Sequence, residues 1–158
     1  MSIPMLSRSL TLSLTGSAWH GPALDELLGD VTPEEARAHP IPGAHSIVEI
    51  VLHVASWLEE VEARLHGRDA RMPDSGDWPP ACPWPEARAR VAAAHQRLLR
   101  ALASFPEARL SEIVGTGRDA PLGSGVPHEI MLTGLAEHDA YHGGQIAILT
   151  RALRPATA

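Results

Sequence analysis

Cysteine is nearly absent from this chain of 158 residues: Cys82 stands alone. One thiol excludes an internal disulfide and suits a reducing compartment, so a cytoplasmic location is the expectation. Cys82 lies among prolines in a polar loop, with no helix start or basic cluster nearby to stabilise a thiolate. It reads as incidental rather than nucleophilic. Long apolar runs are missing as well. Nothing approaches the roughly 18–20 residues that a membrane span needs. The first residues also lack the basic region, apolar core and small-residue cleavage site of a secretory leader. Positive charge is scarce: 13 Lys+Arg stand against 19 Asp+Glu, a net charge of −6, with the arginines scattered. A nucleic-acid binder carries a basic stripe, so DNA and RNA are not expected partners. Strand signal is nearly absent, and no internal repeat occurs. What remains is 44% hydrophobic and 20% charged, the balance of an ordinary globular domain. The length fits one domain, residues 1–158, with a real core.

Residues 1–16 alternate Ser, Thr and Leu without helical period and are expected to form an ordered tail of unspecified form. A first helix is expected over Ser17–Leu28, with Pro22 tolerable only near its first turn. Trp19 and His20 would sit at its entrance, His20 in a surface or capping role. Thr32-Pro33-Glu34-Glu35 is a capping box that starts a short helix ending before Pro40. Ser46-Ile47-Val48-Glu49 is a second box. It opens a helix whose apolar face runs Ile47, Ile50, Val51, Val54, Trp57, Leu58, Val61 and Leu65, ending near Gly67. Residues 67–85, rich in Pro, Asp and Gly, form a long loop. It is either a lid or binding loop, or a plain crossover with Trp78 and Trp84 as packing anchors. Helical period returns from Trp84 to Phe105, with Val91, Leu98, Leu99 and Leu102 inward. Residues 115–125 carry four glycines without the Lys-Ser/Thr or preceding strand of a phosphate loop, and read as turns or a short hairpin. A last helix runs from Pro127 to about Leu153. Four long helices predict an all-α chain, an antiparallel four-helix bundle with a long crossover loop.

The last helix carries Glu137-His138-Asp139-Ala140-Tyr141-His142-Gly143-Gly144-Gln145. His138 and His142 are four residues apart, which stacks two imidazoles on one helix face. With 9 His in the chain, chance alone yields about 0.5 such pairs, so placement has to decide. Met131, Leu135, Ile146 and Leu149 continue the same stripe, so both rings should face inward and need partners there. Spacing leaves metal ligation and a hydrogen-bonded core pair both open. If a metal binds, a third ligand is required. The pattern is not the His-Glu-x-x-His of zinc proteases: Asp139 replaces the glutamate, and no His, Cys, Asp or Glu follows His142. The third ligand must lie upstream, where His53 and His95 both sit in apolar helical stripes.

Gly134-Leu-Ala-Glu-His-Asp-Ala-Tyr-His-Gly-Gly-Gln-Ile-Ala resembles the closing helix of the DinB/YfiT-like family. Trp19-His-Gly-Pro and His45-Ser-Ile-Val-Glu-Ile-Val-Leu-His53 resemble earlier parts of it, so the likeness spans nearly the whole chain. The resemblance implies a four-helix bundle, commonly a homodimer, with a three-histidine site for a divalent metal such as nickel or zinc. Carried over, the ligands are His53, His138 and His142, and His95 becomes structural. Gln145, Glu49 and Tyr141 are candidates for supporting contacts behind the ligands, Gln145 one turn beyond His142.

Members of that family include metal-dependent hydrolases and thiol-dependent S-transferases or isomerases that use low-molecular-weight bacterial thiols. A three-histidine metal with an open position would lower the pKa of a bound water or hold a substrate thiolate. Hydrolysis would need a base, and Asp139 and Glu49 are the candidates, both off the apolar stripe. Thiol transfer needs less acid–base help. The expected function is therefore a metal-dependent enzyme on a small molecule, a thiol-dependent S-transferase or isomerase, or a hydrolase. The alternatives are a non-catalytic, metal-stabilised bundle that binds a ligand or partner, and a metal-free bundle with three hydrogen-bonded histidines.

Overall fold

The structure, a computed structural model, describes residues 1–115 and 122–154. Its first element corrects the expectation for the amino-terminal segment. Residues Ile3–Leu14 form a helix, α1, with Leu6, Leu10 and Leu14 buried one turn apart. The Ser and Thr residues that obscure its period are absorbed by the helix. Thr11 Oγ1 donates to Ser7 O (2.8 Å), and Ser13 Oγ donates to Leu10 O (3.1 Å). Such bonds back along the helix let short polar side chains sit inside it.

The helix expected over Ser17–Leu28 is likewise replaced. Ser17–Ala18 (β1) and Gly21–Pro22 (β2) pair as a small hairpin, and only Leu24–Leu28 (α2) is helical. Gly21 adopts φ +124°, outside the helical region, and Pro22 cannot follow in a helix interior. Trp19 and His20 are exposed at the hairpin turn.

Both capping boxes form. Thr32 caps α3 (Pro33–Arg37) and Ser46 caps α4 (Ile47–Leu65), each with reciprocal bonds to the glutamate three residues on. α4 ends where Gly67 takes φ +93° and Arg68 N–H donates to Ala63 O (3.0 Å). The second long helix pair is α5 (Trp84–Ala103) and α6 (His128–Leu153). Between them lie a 3₁₀ turn, Glu107–Ser111, and the short strands Ile113–Val114 (β3) and Val126–Pro127 (β4), which pair antiparallel. These strands bracket the expected 115–125 turn region, of which 116–121 lie outside the described residues.

α4 packs on α5 and α6, and α1 packs on the same two helices, so the four long helices contact one another in a ring. Leu6, Leu10, Leu52, Leu58, Leu98 and Ile146 are fully buried within it. The loop between α4 and α5 is fastened on both sides. Arg90 Nη2 donates to Ser75 Oγ (2.7 Å), the Ser56 and Ser75 hydroxyls meet at 2.9 Å, and Trp57 Nε1 donates to Asp77 Oδ1 (2.8 Å). Farther along α4, Arg64 and Glu60 form a fully buried ion pair (2.8 Å). Arg64 also donates to Leu122 O (2.6 Å) and Arg71 O (3.1 Å), and its guanidinium lies over the Trp57 ring at 5.8 Å. Arg68 joins Glu60 from the loop side. One buried cation thus ties two connecting segments to α4.

Candidate metal centre

His53 lies midway along α4, and His138 and His142 lie one turn apart on α6. The contact between α4 and α6 brings the three rings together. Their centroids are 4.4–5.0 Å apart. One nitrogen of each ring falls within 4.8 Å of the others, so the three can hold one metal ion. His53 Nε2 is 3.0 Å from His138 Nε2, and His142 Nε2 is 3.1 Å from the same atom.

The opposite ring nitrogens decide what those short distances mean. His53 Nδ1 is 2.7 Å from the backbone oxygen of Asp77, and His142 Nδ1 is 2.6 Å from Gln145 Oε1. A carbonyl oxygen only accepts, so both rings donate from Nδ1. In a neutral ring this leaves Nε2 a bare lone pair. His138 can carry one proton on its own Nε2, and that proton cannot serve both neighbours. At least one pair of lone pairs therefore faces head-on and calls for a cation. Neighbouring nitrogens on one ion with bonds of about 2.0–2.1 Å stand roughly 3 Å apart, as found here.

His138 Nδ1 and Asp139 Oδ1 are both buried without a hydrogen-bond partner, and they face each other at 3.8 Å. Two of the imidazoles, His53 and His142, thus have an accepting oxygen behind them, the arrangement that fixes the tautomer of a metal-binding histidine, while the oxygen behind His138 stands beyond hydrogen-bond distance. Burial is the main cause that lowers the pKa values of His53 and His142, with His138 adding to it; that of His142 falls to about 4. Both rings are held neutral at pH 7, as ligation requires.

The 66–83 loop supplies more than a crossover. Its Trp78 stacks on His53 (4.1 Å, 13° between planes) and on His45 (3.5 Å, 8°), and meets His142 edge-on. Trp84 is instead the first residue of α5, a buried anchor whose Nε1 donates to Val31 O (2.9 Å). Asp77 has no signature in the sequence, and Trp78 stands out there only as a loop aromatic, because a loop without period does not disclose which residue it turns inward.

The remaining candidates fall as follows. Gln145 contacts His142 directly. Tyr141 is exposed and lies edge-on to His142 at 5.2 Å. Glu49 is engaged elsewhere: its carboxylate accepts from Ser46 N–H (2.7 Å) and Ser46 Oγ (2.8 Å), which lower its pKa. Asp139, read as off the inner stripe, is fully buried. The unrecognised α1 is the reason, since Ser13 Oγ of α1 donates to Asp139 Oδ2 (3.2 Å). Burial raises the pKa of Asp139. His95 stands apart, lining a separate cavity with Leu14, Leu24 and Val91.

Two clefts flank the triad. One, of about 280 Å³, opens beside His138 and is walled by apolar side chains. The other, of about 380 Å³, opens beside His142 and includes His45, Trp78, Tyr141 and Gln145.

None of the curated proteins matches the chain. Among solved structures, a conserved protein from Enterococcus faecalis superposes with a TM-score of 0.70 over 99% of both chains at 17% identity. At that identity the likeness shows the fold alone. The sequence profile of the DinB superfamily matches residues 18–146, a span that contains all three histidines and Gln145. The chain belongs to the DinB superfamily.

Proposed function

We propose that the chain is a divalent-metal enzyme whose ligands are His53, His138 and His142, acting on a small molecule. The carrying observation is the convergence of three Nε2 atoms while two of the Nδ1 atoms are committed as donors to oxygen. A divalent ion there, with nickel or zinc the expected identities, would supply a Lewis acid that holds a thiolate or acidifies a bound water. The chain's own residues do the rest. Asp77 and Gln145 orient the His53 and His142 rings, and Trp78 covers one face of His53. The two clefts admit substrate from either side of the triad. We also read the ring of long helices as an antiparallel four-helix bundle with residues 66–83 as its crossover.

Between hydrolysis and thiol transfer, the carboxylates favour transfer. Asp139 is buried against Ser13, Glu49 caps α4, and Asp77 is bound to Trp57. Each has one oxygen engaged in a structural contact, and hydrolysis needs a free base within reach of the attacking water. A metal-held thiolate needs no such base.

Elemental analysis of untagged wild-type protein beside His53→Ala and His138→Ala tests the reading. The expected result is near-stoichiometric nickel or zinc in the wild type, lost in both variants. Metal retained in His53→Ala would move the third ligand elsewhere. A wild type that holds no metal after reconstitution would overturn the proposal.

A further inference from the structure

The cleft beside His138 is walled by Trp57, Val61, Val126, Ile130 and Leu135, and among the described residues no charged side chain lines it. Ile130 is 50% exposed at its rim. Such exposed apolar surface at the edge of a concavity is favourable to cover. Gly134 also lines the cleft, one turn before His138 on α6. A glycine inside a helix is destabilising relative to alanine. The buried glycine of α6, Gly143, is closely covered: a Cβ on it would lie 3.4 Å from Leu27 Cδ1, at the near edge of ordinary contact. Gly144 faces solvent. Gly134 is half-buried, yet a Cβ built on it meets nothing within 4 Å. Protein packing does not require this glycine. It leaves room beside a ring of the triad.

The geometry points to this cleft as the seat of an uncharged apolar group, one or two rings in size, on a small molecule whose donor atom reaches the triad. The inference rests on the metal reading above and adds the substrate class. A cavity of roughly 150 Å³ admits benzene, and this one is about 280 Å³. A sugar or carboxylate placed here would lose its water without gaining partners. The second cleft sets His45, Tyr141 and Gln145 among apolar walls that include Ile41, Ile50, Ile148 and Leu149, so a polar part of the ligand finds partners there and not beside His138.

Three hydroxamates that share one metal-binding head test the assignment by calorimetry on nickel-loaded protein: acetohydroxamate, phenylacetohydroxamate and succinomonohydroxamate. Burying a phenyl ring should tighten binding by roughly 10- to 100-fold over the methyl compound. The carboxylate tail should give no gain. Gly134→Leu fills the cleft and should reduce the phenyl advantage to below about threefold, with nickel content and the acetohydroxamate Kd as controls in the same variant. Gly134→Ala, which favours the helix, should reduce it partly and carries the test if the leucine variant does not fold. Equal binding of the methyl and phenyl compounds overturns the cleft assignment while leaving the metal centre standing. So does a phenyl advantage that survives both variants, or a carboxylate tail that binds tightest. Protein that takes up neither nickel nor zinc overturns the metal reading and this inference with it, whereas protein that takes up metal and binds no hydroxamate overturns this inference alone.

Discussion

At the scale of single residues, the oxygens bonded behind His53 and His142 set the character of the centre. Gln145 Oε1 fixes the His142 tautomer at 2.6 Å. Gln145→Leu should weaken metal affinity roughly 10- to 100-fold, as loss of an acceptor behind a ligand usually does. Gln145→Glu, which keeps an acceptor oxygen, should restore most of it. Competition against a chromogenic chelator measures both, and a leucine variant with wild-type affinity would show that the amide does not hold the ring. The His138–His142 spacing was legible because helix geometry alone puts both rings on one face. The choice between His53 and His95 was not, since each occupies an apolar stripe, and only the resemblance separated them. The contributions of Asp77 and Trp78 depend on the path of a loop, which no side-chain pattern encodes.

At the scale of elements, the buried Glu60–Arg64 pair fastens two connecting segments to α4. Burial lowers the pKa of Arg64 to about 10, so it stays charged at neutral pH. Arg64→Met would leave the Glu60 carboxylate buried with weaker compensation and two backbone oxygens without their donor. The expected cost is about 3–5 kcal/mol in chemical denaturation. Glu60→Gln in the same chain should recover part of that, and a single variant within about 0.5 kcal/mol of wild type would contradict the account. α4, α5 and α6 could be read from their capping boxes and apolar period. α1 could not, because four of its twelve residues are Ser or Thr, and Thr11 and Ser13 bond back into the helix. That omission also hid the burial of Asp139, whose cover is α1.

At the scale of the whole molecule, acid should loosen the metal-free fold. Burial lowers the pKa values of His53, His95 and His142 below the ordinary 6.5, that of His142 to about 4. Below about pH 6.5 the unfolded chain therefore binds more protons at these rings, in a window that for His142 reaches down to about 4, and stability falls as pH falls through it. Asp139 acts in the opposite sense, because its raised pKa makes the folded state bind its proton more tightly and loses stability as pH rises. With three rings against one carboxylate, the Tm of metal-free protein should drop between pH 7 and 5. His95→Leu, away from the triad, should make that drop shallower. A Tm that holds steady or climbs on acidification would count against buried neutral histidines. Another consequence follows from where the ligands lie along the chain. His53 and His138 are 85 residues apart, whereas His138 and His142 are neighbours on one helix. A nascent or unfolded chain offers an ion only the close pair. The three rings come together only when α4 and α6 dock, so an ion held by all three would enter after the helices have packed.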